Sequence, residues 1–214
     1  MRDIIKKNII SNNCTSGFIY KDLSCTYMNP FIWSTFTYYN FNLLMDCYDS
    51  LNFTDFSIEE SLLTKAYKTN RWKDTLSVLI DNRQLCVNYI HYHQDNTKLK
   101  IEKKGVDLYY YDIKNHLHEV FTRRVRRMVE NGLNEPIFIL NKTIFYTNDE
   151  FYNIAYKPTK YKKIVCFPFN FKVDESRIPE NTHTVILPQE VDVEPKYARY
   201  LIDKYPELIE IKKE

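Results

Sequence analysis

Three short stretches of the chain hold side chains with chemical reach. The first is "SNNCTSG", residues 11–17, with Asn12, Asn13, Cys14, Ser16 and Gly17. A thiol can act as a nucleophile, and two carboxamides can donate hydrogen bonds to a carbonyl oxygen. A glycine, one of only 3 in the chain, allows close backbone approach. If a helix begins after Cys14, its free backbone N–H groups favour an anion or an oxyanion. The same positive end would lower the pKa of the thiol and make it a better nucleophile. The plainer reading is a small buried cysteine in a turn built by asparagines.

The second stretch is "IHYHQD", residues 90–95. On a strand, His91 and His93 are two apart and share a face. His91 ends an apolar run and could serve as general base toward Cys14 or toward a substrate hydroxyl. His93 and Asp95 are candidate orienting partners. The pair also resembles half of a metal site, but no third ligand stands at suitable spacing, so no metal is expected. Ordinary strand-end hydrogen bonding would explain both histidines equally well.

The third stretch is "FTRRVRRM", residues 121–128. Arg123 and Arg126 can point to water. Arg124 lies three residues after Phe121 and four before Met128, on the apolar stripe, and Arg127 lies at its edge. A buried arginine needs an anionic partner. That partner could be an internal carboxylate or a phosphate on a ligand, which a guanidinium grips in bidentate fashion. Four arginines in five positions could also mark a nucleic-acid face. The whole-chain charge argues against it: 30 basic and 28 acidic residues leave only +2. That balance also gives no electrostatic case for an anionic membrane.

These stretches need a scaffold. At 214 residues with 44% hydrophobic and 27% charged side chains, the chain fits one sizeable globular, soluble domain. Its 18 tyrosines can build grooves that stack on sugars or bases, although a codon bias would produce the same composition. The N-terminus lacks the apolar core and cleavage site of a secretory signal, and no apolar run is long enough to span a bilayer. Five cysteines without CxxC spacing fit reduced thiols in a bacterial-type cytoplasm.

The pattern predicts a buried first strand over residues 7–12, then a turn over residues 14–17, and a short extended stretch over residues 24–28. A helix is expected over residues 35–51. Ser57 with Glu60 reads as a capping box opening another helix to about Lys68. Residues 74–82 and 84–92 read as an antiparallel hairpin joined by "DNR". Residues 94–105 read as a charged loop or edge strand, and "DLYYYD" as a further short strand or a lead into the next helix. That helix spans residues 113–131 and stops at Gly132. Residues 135–140 form a strand, and Thr147 with Glu150 opens a short helix. Two strands follow, "KKIVCFPF" and "HTVILP", then a helix from Pro195 to Lys204 and a possible last strand, "ELIEIKK". The alternation implies an α/β class with a mixed, largely parallel sheet flanked by helices in Rossmann-like layers. Residues 1–214 read as a single domain, with a small antiparallel subdomain around residues 74–112. In such a fold, ligands gather at the carboxyl ends of the strands, where Cys14 would sit.

Taken in order, "IISNNCTSGFIYKDLSCTYMNP", "IHYHQD" and "FTRRVRRM" resemble a bacterial exopolysaccharide biosynthesis family. That family's pattern has an Asn-Asn-Cys turn followed by glycines, then a Tyr and a Pro, a strand-end His and a spaced Trp-Arg-Arg helix. The matching positions are Asn12, Asn13, Cys14, Gly17, Tyr27, Pro30, His91, Arg124 and Arg127. The likeness covers roughly residues 9–139. Ser16 departs where the first glycine is expected, Phe31 where a small hydroxyl residue is expected, and Phe121 in place of the tryptophan. More loosely, the turn is similar to that of capsule-locus acyltransferases and to the nucleophile turn of SGNH-type esterases.

The resemblance implies a transferase in capsule, exopolysaccharide or lipopolysaccharide synthesis, most concretely one moving an acyl group to a sugar hydroxyl. Cys14 would be nucleophile or thioester neighbour, His91 the base, and Asn12 and Asn13 the oxyanion donors. Tyr27, Ser16, Gly17, His93, Arg124 and Arg127 would bind substrate or its anionic group. Coenzyme A, as acetyl-CoA, is the implied donor, and a nucleotide sugar or lipid-linked sugar the implied acceptor. Glycosyl or phosphoryl-linked transfer, and a non-catalytic glycan-binding or partner-binding subunit, are the alternatives. Nucleic acid is not an expected partner. Peripheral contact with inner-membrane polysaccharide machinery fits the setting, as does a cytoplasmic location.

Overall fold

The computed structural model describes residues 8–27, 29–60, 75–93, 113–132, 135–143 and 146–207, with only the backbone for residues 60, 90–93 and 113. Its class is α/β. Among the described residues, parallel and antiparallel pairings sit in two separate sheets, flanked by five helices.

The first sheet is all parallel, in the order β1-β5-β6-β7. β1 (Asn8–Ser11) and β5 (Pro136–Asn141) are buried at every position, which continuous apolar runs between layers require. Their register sets Ile9 against Ile137 and Ser11 against Ile139. β6 (Lys162–Pro168) pairs with β5 so that Asn141 faces Cys166, and β7 (Thr182–Leu187) closes the order. Because all four run the same way, the ends of β1 and β5 share one edge, at Ser11 and Asn141. At the opposite edge Lys163 is fully buried, and its ammonium donates to Ile154 O at 2.7 Å and Lys157 O at 2.6 Å. It thereby satisfies carbonyls left open at a helix end. Burial pushes its pKa down to about 8.

The second sheet is antiparallel: β2 (Phe56–Glu60), β3 (Thr75–Ile80) and β4 (Leu85–His93). The "DNR" turn joins β3 to β4 as expected. Asp81, Asn82 and Arg83 all take positive φ, and Gln84 N–H returns to Asp81 O at 3.1 Å.

Helix α1 is Thr15–Asp22 and α2 is Tyr38–Cys47, continued by a 3-10 turn, Tyr48–Ser50. α3 is Ile113–Glu130, ended by Gly132 at φ +60°. α4 is Asn148–Ala155, opened by the Thr147–Glu150 capping box with both bonds present. α5 is Glu194–Lys204, with Pro195 in its first turn, and packs against α1. Among the described residues no helix is long and apolar enough to cross a membrane.

Four expectations change. The turn expected over residues 14–17 shrinks to Cys14, because Thr15, Ser16 and Gly17 already lie in α1. Ser57 and Glu60 do not open a helix. They lie in β2, paired with Leu79 and Leu76 of β3, because sheet pairing overrides a local capping signature. Residues 24–27 are not a strand. α1 ends there in a Schellman motif, with Ser24 N–H to Lys21 O at 3.0 Å and Cys25 N–H to Tyr20 O at 2.9 Å. Ser24 takes φ +52°, a place glycine usually fills. Finally, α2 starts at Tyr38, capped by Thr37, because Thr35 is held in an extended bridge to Asn88. The rest of the helix expected to Lys68, the loop over residues 94–105, "DLYYYD" and nearly all of "ELIEIKK" lie outside the described residues.

Candidate functional site

The Asn-Asn-Cys turn lies directly between β1 and α1, at the carboxyl edge of the parallel sheet. It is closed on itself. Asn12 copies a β-ladder pair with its side chain: Nδ2 donates to Asn141 O at 2.8 Å, and Oδ1 accepts from Asn141 N–H at 2.8 Å. The Asn141 side chain answers with Nδ2 bonds to Asn13 Oδ1 at 3.2 Å and Thr15 Oγ1 at 3.1 Å. The first amides of α1 are capped from within the turn. Thr15 N–H goes to Asn13 Oδ1 at 3.1 Å, and Ser16 N–H to Ser11 Oγ at 2.8 Å. These bonds satisfy donors that the anion-site reading of the helix start would leave open. Among the described residues, two buried side-chain atoms in this turn and its partner strand lack a partner: Ser16 Oγ and Asn141 Oδ1.

Cys14 is the N-cap residue of α1, the arrangement on which the activated-thiol reading depends. Its thiol does not have the expected acidity. The residue is buried, and burial, reinforced by the negative charge of Glu194, pushes the thiol up to about 12. Its Sγ–H points to Ser34 O at 3.9 Å. A neutral thiol is a weak nucleophile, so the helix start does not activate this cysteine.

The segment from Tyr27 to Phe36 joins the Asn-Asn-Cys turn to Asn88 and Tyr89 of β4 and to α3, and sequence reasoning missed most of it. Asn29 starts it with an Asx turn, accepting from Phe31 N–H at 2.9 Å and donating to Ile9 O on β1 at 3.0 Å. Thr35 Oγ1 and Phe36 N–H both reach Asn12 O, at 3.2 and 3.1 Å. The Tyr89 hydroxyl donates to Pro30 O, and the Asn88 and Thr35 backbones exchange bonds at 2.8 and 3.0 Å. Turn, second sheet and α3 therefore meet on one loop. The available signals were the "NP" dipeptide and the polar Asn141 ending an apolar strand, in the same place as Asn12 on β1.

Within this loop Trp33 has φ +65°. A bulky residue in the left-handed region costs roughly 1–2 kcal/mol. The neighbours hold it there: Ser34 binds back to Phe31 O through N–H at 3.3 Å and Oγ at 2.5 Å. Arg124 Nη1 donates to Ile32 O at 3.0 Å. The Trp33 indole lies on Gly17, where an added Cβ would fall 2.6 Å from the ring. This is why position 17 needs glycine. Phe18 and Tyr27 meet the indole edge-on, with ring centroids 4.8 and 6.3 Å away.

The arginine reading of α3 holds in its geometry. Arg123 and Arg126 are exposed, whereas Arg124 is 7% exposed among buried Phe121, Val125 and Met128. Arg124 lies 5.2 Å from the Tyr27 ring centroid, a cation–π contact, besides its bond to Ile32 O. Arg127 is half-buried and donates to Tyr27 O at 3.3 Å. It forms no ion pair with any described residue.

His91 and His93 both fall in β4, beyond Asn88. Pairing with β3 jumps from Tyr89–Leu76 to His93–Thr75, a bulge across residues 90–92, so simple alternation does not run through the pair. Among the described residues no group of three or more His, Cys, Asp or Glu side chains is placed to hold a metal ion.

No protein-family model and no curated protein matches the chain.

Proposed function

We propose that this chain is a transferase acting on a phosphorylated precursor of a bacterial surface glycan, moving an acyl group directly to a sugar hydroxyl. The observation that carries the reading is the half-buried Arg127, without an ionic partner among the described residues, bound to the carbonyl of Tyr27, whose ring meets Trp33. A guanidinium with open donors suits a phosphate, and aromatic rings suit sugar faces. The resemblance of the three motifs to an exopolysaccharide biosynthesis family supplies the biological setting.

In this reading Cys14 packs beneath the site and forms no acyl-enzyme. The acceptor hydroxyl attacks the thioester carbonyl of acyl-CoA, an ester forms, and the coenzyme thiol leaves. His91 takes the hydroxyl proton as general base. Asn13 is fixed in the turn through Oδ1, which accepts from Thr15 N–H and Asn141 Nδ2, so only its Nδ2 would donate to an oxyanion. The same unpaired Arg127 also suits glycosyl transfer from a nucleotide sugar, and this is the second reading.

Mass spectrometry of acceptor sugars separates the two. The full chain is incubated with acetyl-CoA plus a hexose phosphate, or with a nucleotide sugar plus a hexose. An acetylated acceptor, with no mass increase on the protein, supports direct acyl transfer. A lengthened glycan supports glycosyl transfer. An acetyl group retained on Cys14 would overturn the packing role of the thiol and make it the nucleophile.

A further inference from the structure

We infer that Trp33 is a ligand-stacking residue, and that Trp33 with Arg127 forms a subsite for a pyranose ring bearing a phosphoryl group. The inference rests on the function proposed above and names the ligand class of that site.

Trp33 sits at φ +65°, although nothing in its own chemistry favours that region. Strained residues persist where surrounding structure over-determines them, and they cluster at ligand sites. For Trp33 the determination comes from three directions: Arg124 on Ile32 O, Ser34 on Phe31 O, and Asn29 on Ile9 O. The conformation places a large ring over Gly17 while leaving it part-exposed. A residue recruited only for packing would be better served by an unstrained backbone and full burial.

Tyr27 joins the two halves of the subsite: its ring meets the Trp33 indole edge-on, and its carbonyl accepts from Arg127. One side offers an aromatic face, which stacks on the C–H face of a pyranose. The other offers guanidinium donors that no carboxylate among the described residues occupies. An aromatic face alone would suit a neutral sugar, and an arginine alone a free phosphate. Their adjacency selects a ligand carrying both, whether a sugar 1-phosphate or a nucleotide-linked sugar.

The chain has 2 tryptophans, so a Trp72→Phe variant makes Trp33 the sole indole reporter. Its emission is titrated with glucose 1-phosphate, UDP-glucose, glucose, UDP and inorganic phosphate. The expected result is a saturable emission change with glucose 1-phosphate or UDP-glucose, at least tenfold tighter than with glucose, UDP or phosphate. A response to UDP-glucose alone assigns the nucleotide-linked source. Arg127→Gln, read by the same emission, and Trp33→Leu, read by calorimetry, should each weaken binding at least tenfold. Should Trp33→Leu fail to fold, the emission titration and Arg127→Gln decide. Equal affinity for UDP and UDP-glucose, no response to any phosphorylated sugar at millimolar concentration, or unchanged affinity in Arg127→Gln would overturn the subsite. Binding without transfer of any group would sink the proposed function and leave the subsite standing. Transfer with a silent Trp33 would do the reverse.

Discussion

Two regions meet at Gly17 and treat their polar groups in opposite ways. The turn over residues 11–16 is buried, and its side chains bind one another and Asn141. The wall of Tyr27, Trp33 and Arg127 is half-exposed and leaves guanidinium donors open. Buried polar groups without partners are costly, and among the described residues the turn and Asn141 leave only Ser16 Oγ and Asn141 Oδ1 without one. The region richest in reactive residue types is thus mostly scaffold, and the region beside it is the one to which the proposal assigns binding.

That contrast can be broken from the scaffold side first. Asn12→Ala should be the largest effect, because it strands the N–H and C=O of Asn141 between β1 and β5. The expected loss is about 2–5 kcal/mol, read from urea denaturation. Gly17→Ala comes next. The new Cβ meets the Trp33 ring, which the loop cannot easily release, and the cost should be about 1–3 kcal/mol with altered tryptophan emission.

Cys14→Ala should cost about 1 kcal/mol at neutral pH, as for one buried methylene. Its sharper signature is in pH. The thiol rises from 9.0 to about 12 on folding, so between those values the unfolded chain gives up the proton that the folded chain keeps. That contribution to stability is fully present below about 9 and is lost as pH rises toward 12. Cys14→Ala should therefore flatten the fall in stability between about pH 9 and 12. In the native protein, iodoacetamide should label the partly exposed Cys25 and Cys47 well before Cys14. Arg127→Gln should change stability least, within about 0.5–1 kcal/mol, because it breaks one long bond at a half-exposed position.

Much of the scaffold was legible because its signals are local. The apolar run before Asn12, the Thr147–Glu150 box, the hairpin turn and the Gly132 stop each follow from a few neighbouring residues. β2 was misread for the same reason: Ser57 and Glu60 mimic a cap, and only pairing with β3 reveals a strand. Residues 29–36 were illegible because their conformation is set from afar, by Arg124, Tyr89 and Asn12. No glycine marks the left-handed position of Trp33. For Cys14, the sequence located the helix start but not the burial, and burial decides the direction of its acidity.

The most direct test sets the two regions against each other in one assay. Binding of glucose 1-phosphate or UDP-glucose is measured by calorimetry for the unsubstituted chain, Cys14→Ala and Arg127→Gln, each confirmed folded by circular dichroism. The account predicts that Cys14→Ala binds within about twofold of the parent and that Arg127→Gln loses at least tenfold. Lost binding in Cys14→Ala with unchanged binding in Arg127→Gln would contradict it.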